Sequence, residues 1–208
     1  MNIKRLFFSE IIHLPDTKYN KNISLVHQFG EPTLIVDGLV ESGFLLTHIW
    51  KTGIKNLLPK SFLPKTILIL GLGGGSNTKL VSKYFPKAQI TAVEIDSKMV
   101  DIAKKYYKIN RVKNLKIVVS DAIDFINNLK TTTYDLILVD CFEGKYIPKK
   151  LQDPLFIKKV YNHSQYTLIN RIWYNEHHQE TVFFLKSLTP FFLCSTVHTK
   201  TNILISLY

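Results

Sequence analysis

The feature that most constrains this chain is a continuous apolar run, Thr66-Ile67-Leu68-Ile69-Leu70, that starts just after Pro64 and ends on Gly71-Leu72-Gly73-Gly74-Gly75. A strand that is apolar at every position has no side for water, so it belongs in a sheet covered on both faces. The glycines let the backbone turn sharply, and 77–85 then shows helical spacing. The pattern repeats. β-Branched residues at 89–94 predict a second strand, and Ser97 opens a helix carrying Met99, Val100, Ile102, Ala103 and Tyr106 toward one side. Strand, helix and strand are expected at 115–119, 122–129 and 134–139. Strands alternating with helices across short connections demand a parallel sheet with helices on both faces. The expected fold is therefore α/β and doubly wound.

Beyond a loop at 141–150, a helix at 155–161, a strand at 167–173 and a helix at 179–188 continue the alternation. Two strand-like runs, 191–198 and 202–207, are joined at Thr199-Lys200-Thr201 and read as a terminal hairpin adding an antiparallel strand. Ahead of the alternating part, Ile23-Ser24-Leu25-Val26 and Thr33-Leu34-Ile35-Val36 flank the turn signal Gly30-Glu31-Pro32 and predict a β-hairpin, followed by a helix at 44–58. The reading divides the chain into a small hairpin and helix segment, 1–60, and a ligand-binding α/β domain, 61–208.

Composition sets limits on partners. With 208 residues the chain can bury one substantial core and an appendage. No apolar run is long enough to span a bilayer, and the short one at 1–8 is followed by Ser9-Glu10 and His13, so a cytoplasmic protein without a membrane partner is expected. Cys141 and Cys194 have no paired spacing and suggest neither a disulfide nor a zinc site. The net charge of +11 attracts anions, but the lysines recur singly or in pairs among apolar residues, which reads as solvated helix faces; a nucleic-acid partner is not favoured. A field this positive repels a free polyamine unless a local acidic pocket overrides it.

Candidate chemistry gathers at the strand ends. Gly71, Leu72, Gly73, Gly74 and Gly75 let a nucleoside press against the turn, and the helix after them offers its first amides. Glu94 ends the second strand about twenty residues on, where an acid can accept both ribose hydroxyls, with Ile95 beside it. These features fit NAD and S-adenosylmethionine alike. Ser120-Asp121-Ala122 ends the third strand: Asp121 can accept an adenine amino group, or cap the next helix, and small Ala122 leaves room for the base. Asp140 ends the fourth strand, at the edge where open α/β sheets bind ligands.

These residues resemble those of polyamine aminopropyltransferases and their spermidine-synthase-like relatives, which share the Rossmann-like, seven-stranded class I methyltransferase fold. The resemblance rests on the glycine turn, Val93-Glu94-Ile95-Asp96, Ser120-Asp121-Ala122, Tyr134-Asp135-Leu136-Ile137-Leu138-Val139-Asp140 and the hairpin ending Val36-Asp37-Gly38. It implies S-adenosylmethionine or its decarboxylated form as co-substrate, no metal, a small-molecule acceptor, and Asp140 as the catalytic acceptor of a proton from an attacking amine. It also implies that Glu41, where relatives carry a glutamine, borders the donor. Several positions depart from the family. Its glycine-turn aspartate, which holds the aminopropyl amine, is here Gly74, and this removes an anion and is expected to leave space for a donor carboxylate. Its catalytic Asp-x-x-Asp is here Asp140-Cys141-Phe142-Glu143, and its Tyr-His-Glu survives at most as Thr47-His48-Ile49.

Glu143, Tyr146 and His48 are therefore the candidates for an acceptor pocket. His177, His178 and Glu180 are read as a solvated helix end, since adjacent histidines leave a helix in different directions, and Trp50 and Trp173 as core. Methyl transfer from S-adenosylmethionine to an unidentified acceptor is the preferred function. Aminopropyl transfer and nucleoside binding without catalysis are the alternatives; an NAD dehydrogenase is disfavoured because Ser76 stands where the dinucleotide motif wants its third glycine or alanine, and Asp121 would then have no task. The free edge of the N-terminal hairpin is a candidate homodimer contact.

Overall fold

The computed structural model describes residues 10–27, 32–131 and 133–208; the apolar run at 1–8 and two of the predicted turn residues, Gly30 and Glu31, lie outside them. Four short strands come first, β1 (Glu10–His13), β2 (Ser24–His27), β3 (Thr33–Val36) and β4 (Leu39–Ser42), then α1 (Phe44–Leu57). The alternating part runs β5 (Thr66–Leu70), α2 (Ser76–Tyr84), β6 (Gln89–Glu94), α3 (Ser97–Tyr107), β7 (Leu115–Val119), α4 (Ala122–Asn127) and β8 (Tyr134–Val139). It continues with α5 (Pro154–Asn162), β9 (Ser164–Ile172), α6 (Glu176–Leu188), β10 (Cys194–His198) and β11 (Asn202–Leu207).

Seven strands form the main sheet in the order β10-β11-β9-β8-β5-β6-β7. β5 lies parallel to both β6 and β8, β6 to β7 and β8 to β9. The terminal hairpin contributes two antiparallel strands, β11 beside β9 and β10 at the edge. Because side chains alternate along a strand, the apolar run of β5 feeds two cores. Ile67 and Ile69 pack with Trp50 and Ile54 of α1, Val81 of α2 and Val100 of α3, while Leu68 and Leu70 pack with Ile126 of α4, Ile157 of α5 and Phe184 of α6.

Two expectations need correction. Tyr107, not Tyr106, completes the buried face of α3, because it continues the Met99–Ala103 row at four-residue steps; its hydroxyl donates to the Pro32 carbonyl at 2.8 Å. The N-terminal extension is also more than a hairpin. It is a four-stranded antiparallel sheet, β1-β2-β3-β4. β1 is mostly exposed and so shows no hydrophobic alternation, whereas β4 had a signal: Asp37 and Gly38 both take positive φ, 48° and 84°, and form the two-residue turn that Asp-Gly favours between hairpin strands. Leu25, Leu34 and Val36 of this sheet, with Ile23 just before β2, pack against Met99, Ile102 and Tyr107 of α3.

Candidate active site

The chain leaves β5 for β6 and β7 and returns to β8 on the other side, so the connections at the carboxyl ends of β5 and β8 part in opposite directions and open a crevice. A cavity of about 260 Å³ lies there. Gly71 at its base has φ +92°, and a Cβ there would run into the Asp140 backbone carbonyl, so the approach of the two strand ends admits only glycine. The cavity gathers Glu41, Gly71, Gly73, Glu94, Ile95, Asp121, Ala122, Asp140 and Glu143 from the sequence candidates. Five carboxyl groups line it, those of Glu41, Glu94, Asp121, Asp140 and Glu143, against one ammonium, that of Lys150. A protein of net charge +11 thus keeps a locally acidic cavity, the exception that its overall field calls for.

Glu94 is fixed by the turn it faces. Its Oε2 accepts from the backbone N–H groups of Leu72 and Gly73 at 3.0 and 3.2 Å, and its Oε1 from that of Asp96 at 3.0 Å. Burial still pushes its pKa up, against the lowering by these three amides. One acceptor direction remains on Oε1, since a carboxylate has about four. Asp121 caps α4, its Oδ1 accepting from the Ile123 N–H at 2.6 Å, and also lines the cavity, so capping and a place at the site coincide. Val93, Ile95, Met99, Ala122 and Ile123 supply the apolar wall on this side.

Asp140 has the most complete support. Its Oδ2 accepts from Trp50 Nε1 at 2.8 Å and Asn77 Nδ2 at 3.0 Å, and its Oδ1 from Asn170 Nδ2 at 2.8 Å. The amides extend outward, Thr201 Oγ1 donating to Asn202 Oδ1 at 2.7 Å and Asn202 Nδ2 to Asn170 Oδ1 at 2.9 Å. Burial raises the pKa of Asp140, with the three donors opposing the rise. Glu41 on β4 is raised well above the usual carboxylate range, first by burial and then by the charges of Asp140 and Glu94. Cys141 is likewise pushed well up by burial and by neighbouring carboxylates, which leaves its thiol neutral.

Glu41, Asp140 and Phe142 also line a second cavity of about 110 Å³, bounded further by β4, α1, β9 and the turn before β11. The acids therefore stand on the wall between two spaces. Sequence reasoning missed Trp50, Asn77 and Asn170 as holders of Asp140, because an indole N–H in the core and two amides on separate elements carry no local pattern. It also missed Tyr19 and Asn20, which reach the larger cavity from the segment between β1 and β2. Asn20 Nδ2 donates to Asp96 Oδ2 at 2.8 Å and Thr17 Oγ1 donates to the same oxygen, while Asp96 Oδ1 caps α3 through the Lys98 N–H at 3.0 Å.

Several candidates stand elsewhere. Leu72 and Gly75 hold the turn without lining either cavity, and His48 is exposed on α1 away from both. Tyr146 is 48% exposed and packs beside His177, because Glu143 and Tyr146 close a tight turn through mutual backbone hydrogen bonds; only Glu143 of that pair faces the cavity. The space expected at Gly74 is filled. Its N–H donates to Ser42 Oγ at 2.8 Å, and a Cβ there would meet the Ser42 side chain at 2.7 Å and the Tyr107 ring at 2.8 Å. His177 is buried, which departs from the solvated helix end expected of it, while His178 is exposed against Trp173, the two diverging as adjacent helical residues must. Trp173 itself is only half-buried, between His178 and His198.

With this geometry in place, likeness to known proteins becomes informative. A family model for the spermine/spermidine synthase domain matches residues 46–185, more than half of the chain. A polyamine aminopropyltransferase from Vibrio vulnificus is 38% identical over 99 residues, covering 47% of this chain and 33% of the relative. The mouse eEF1A lysine and N-terminal methyltransferase is 32% identical over 102 residues, 47% of this chain and 15% of the relative. The chain thus spans a third or less of the length of these two relatives. Among solved structures, human methyltransferase-like protein 13 in complex with SAH superposes with a TM-score of 0.67 at 22% identity, covering 79% of this chain and 82% of that one.

Proposed function

Because the chain belongs to the spermine/spermidine synthase family, we propose that it binds a sulfonium nucleoside of the S-adenosylmethionine type in the larger cavity and transfers its methyl group to an acceptor nucleophile. The observation that carries the reading is the convergence of Glu94, Asp121 and Asp140, from the ends of three successive strands, on one acidic cavity at the switch point of the sheet. The residues suit the ligand. Glu94 offers a remaining acceptor direction to a ribose hydroxyl, Asp121 an acceptor to the base amino group, and Ile95, Ala122 and Ile123 an apolar wall to its ring. The acidic lining favours a positive sulfur centre, and Asp140, steadied by Trp50, Asn77 and Asn170, takes up the proton that the attacking group gives off. Relatives act in two ways, as aminopropyltransferases and as protein methyltransferases. Methyl transfer is preferred because the aspartate that grips the aminopropyl amine in the family is here Gly74, sealed by Ser42 and Tyr107.

One observation favours the second reading, aminopropyl transfer from the decarboxylated donor: Glu41 Oε2 lies 4.0 Å from where a Cβ on Gly73 would stand, so a carboxylate does border the glycine turn. Calorimetric titration with both donors decides. Tighter binding of S-adenosylmethionine supports methyl transfer, and tighter binding of the decarboxylated form supports aminopropyl transfer. Replacing Glu94 with Ala is expected to weaken donor binding by about 2 kcal/mol, and unchanged affinity would remove the site assignment. Asp140→Asn is expected to keep donor binding and lose turnover; full activity in that variant would reduce Asp140 to a scaffold residue.

A further inference from the structure

The smaller cavity differs in character from the larger one. Among the described residues lining it, only Glu41 and Asp140 carry charge, and both stand on the wall shared with the larger cavity. The rest of its lining is largely apolar, with Leu39, Val40, Leu46 and Ile49 on one side and Phe142 and Ile172 on the other. Its amides are committed, Asn202 to Asn170 and Asn170 to Asp140. The Glu41 carboxylate has no hydrogen-bond or ion-pair partner among the described residues, although it is surrounded by other acids. A carboxyl held in that state gains most from a cation placed between it and Asp140.

Building on the transferase reading above, we infer that the acceptor is a primary amine on an unbranched apolar stem with no second charge: its nitrogen sits between Glu41 and Asp140 and its stem fills the smaller cavity. Glu41 is then the residue that selects the acceptor, and the selection runs against diamines. A second ammonium would reach the Leu45, Leu46 and Ile49 end, where nothing of opposite charge meets it and apolar side chains take the place of part of its water. The net charge of +11 adds a penalty for every further positive charge.

The chemistry balances. The bound alkylammonium gives one proton to Asp140, whose Oδ1 accepts only the Asn170 hydrogen bond. The freed nitrogen lone pair forms the new N–C bond as the C–S bond breaks, and that bonding pair stays on sulfur as a neutral thioether. The alkylated amine leaves protonated, and one proton passes from Asp140 to solvent per turnover.

The test is calorimetric binding of n-pentylamine and of 1,5-diaminopentane, equal in stem length, to the full chain with and without S-adenosylhomocysteine. Pentylamine is expected to bind at least about tenfold more tightly than the diamine, and Glu41→Gln to weaken pentylamine by about tenfold. Leu45 is 38% exposed, on the first turn of α1, where an added acid is favoured by the helix dipole. Leu45→Glu is therefore expected to fold, to supply the missing anion and to reverse the order in favour of the diamine. Tighter diamine binding in the unaltered protein, no binding of either amine, or an unreversed order in Leu45→Glu would overturn the inference. Failure of the homocysteine analogue to bind would instead overturn the donor reading, while the amine order measured without it still decides this one. An acetylated peptide with a single lysine distinguishes the source: binding like pentylamine points to a lysine side chain and absence of binding to a free alkylamine, and both uphold the chemistry.

Discussion

Trp50 offers the sharpest test of how Asp140 is prepared for its task. The indole is fully buried, and its Nε1–H donates to Asp140 Oδ2 at 2.8 Å. Trp50→Phe keeps an aromatic ring in the core but removes that donor. Two costs follow. The lost ring volume, about 40 Å³, costs about 1 kcal/mol if the core does not collapse onto it, at ~24 cal/mol per Å³. The hydrogen bond to a carboxylate is worth about 1.5–3 kcal/mol, and since it favours the ionised form its loss raises the Asp140 pKa further. A base with a higher pKa stays protonated to higher pH, so the acidic limb of the rate–pH profile moves upward while the rate on the alkaline plateau is largely retained. The assay is turnover with saturating donor across pH, paired with urea denaturation of the same variant. A limb that stays in place while stability falls would show that Trp50 only fills space, and would refute the claim that it positions Asp140.

Other expectations are simpler to check. Gly74→Asp would restore the family's aspartate in sequence only: with Ser42 and Tyr107 already against that position, the substitution is expected to cost about 1–3 kcal/mol by overpacking, visible as a lowered Tm, and not to create decarboxylated-donor binding. The raised acids make a pH prediction. Burial raises the folded-state pKa of Glu41, Glu94 and Asp140, so the contribution of each to stability is fully present below its unfolded value near pH 4 and is lost as pH rises through its folded value. The ligand-free protein should therefore lose stability toward neutral pH more steeply than Glu41→Gln does, measured as urea midpoints between about pH 4 and 8. Equal slopes would mean that burial does not raise the Glu41 pKa.

Much of the main sheet was legible because its strands announce themselves. A fully apolar β5 followed by glycine admits few alternatives, and β6, β7 and β8 each lead into an acid, Glu94, Asp121 and Asp140. The four-stranded N-terminal sheet was only half legible: β2 and β3 bury one face and alternate, while β1 lies on the surface and needs no pattern to stay there. At the site, Glu94, Asp121 and Asp140 could be read because each closes or closely follows an apolar or β-branched run that marks a strand. The error at Gly74 has the opposite origin. A missing side chain in sequence says nothing about which neighbour fills the space, and here the neighbours come from β4 and α3, distant along the chain. Trp50, Asn77 and Asn170 escaped notice for the same reason, since their meeting at one carboxylate is a property of three elements together.

The tether of the N-terminal segment at Asp96 has a thermodynamic consequence. Tyr19, Asn20 and Glu41 line the larger cavity from elements that precede the parallel sheet, and Thr17 and Asn20 are held by the carboxylate that starts α3. A ligand that touches both walls must stabilise their docking by the same free energy that docking lends to its affinity; for a ligand that binds the docked state alone, the stabilisation at a hundred times its Kd is about 2.7 kcal/mol. Occupancy of the cavity and closure of the small sheet onto α3 are thus a single linked equilibrium. Substitutions at Ile23, Leu34 or Val36, which touch α3 and do not line the cavity, will read out as changes in ligand affinity, and protection of the first strands from proteolysis will report that the cavity is full.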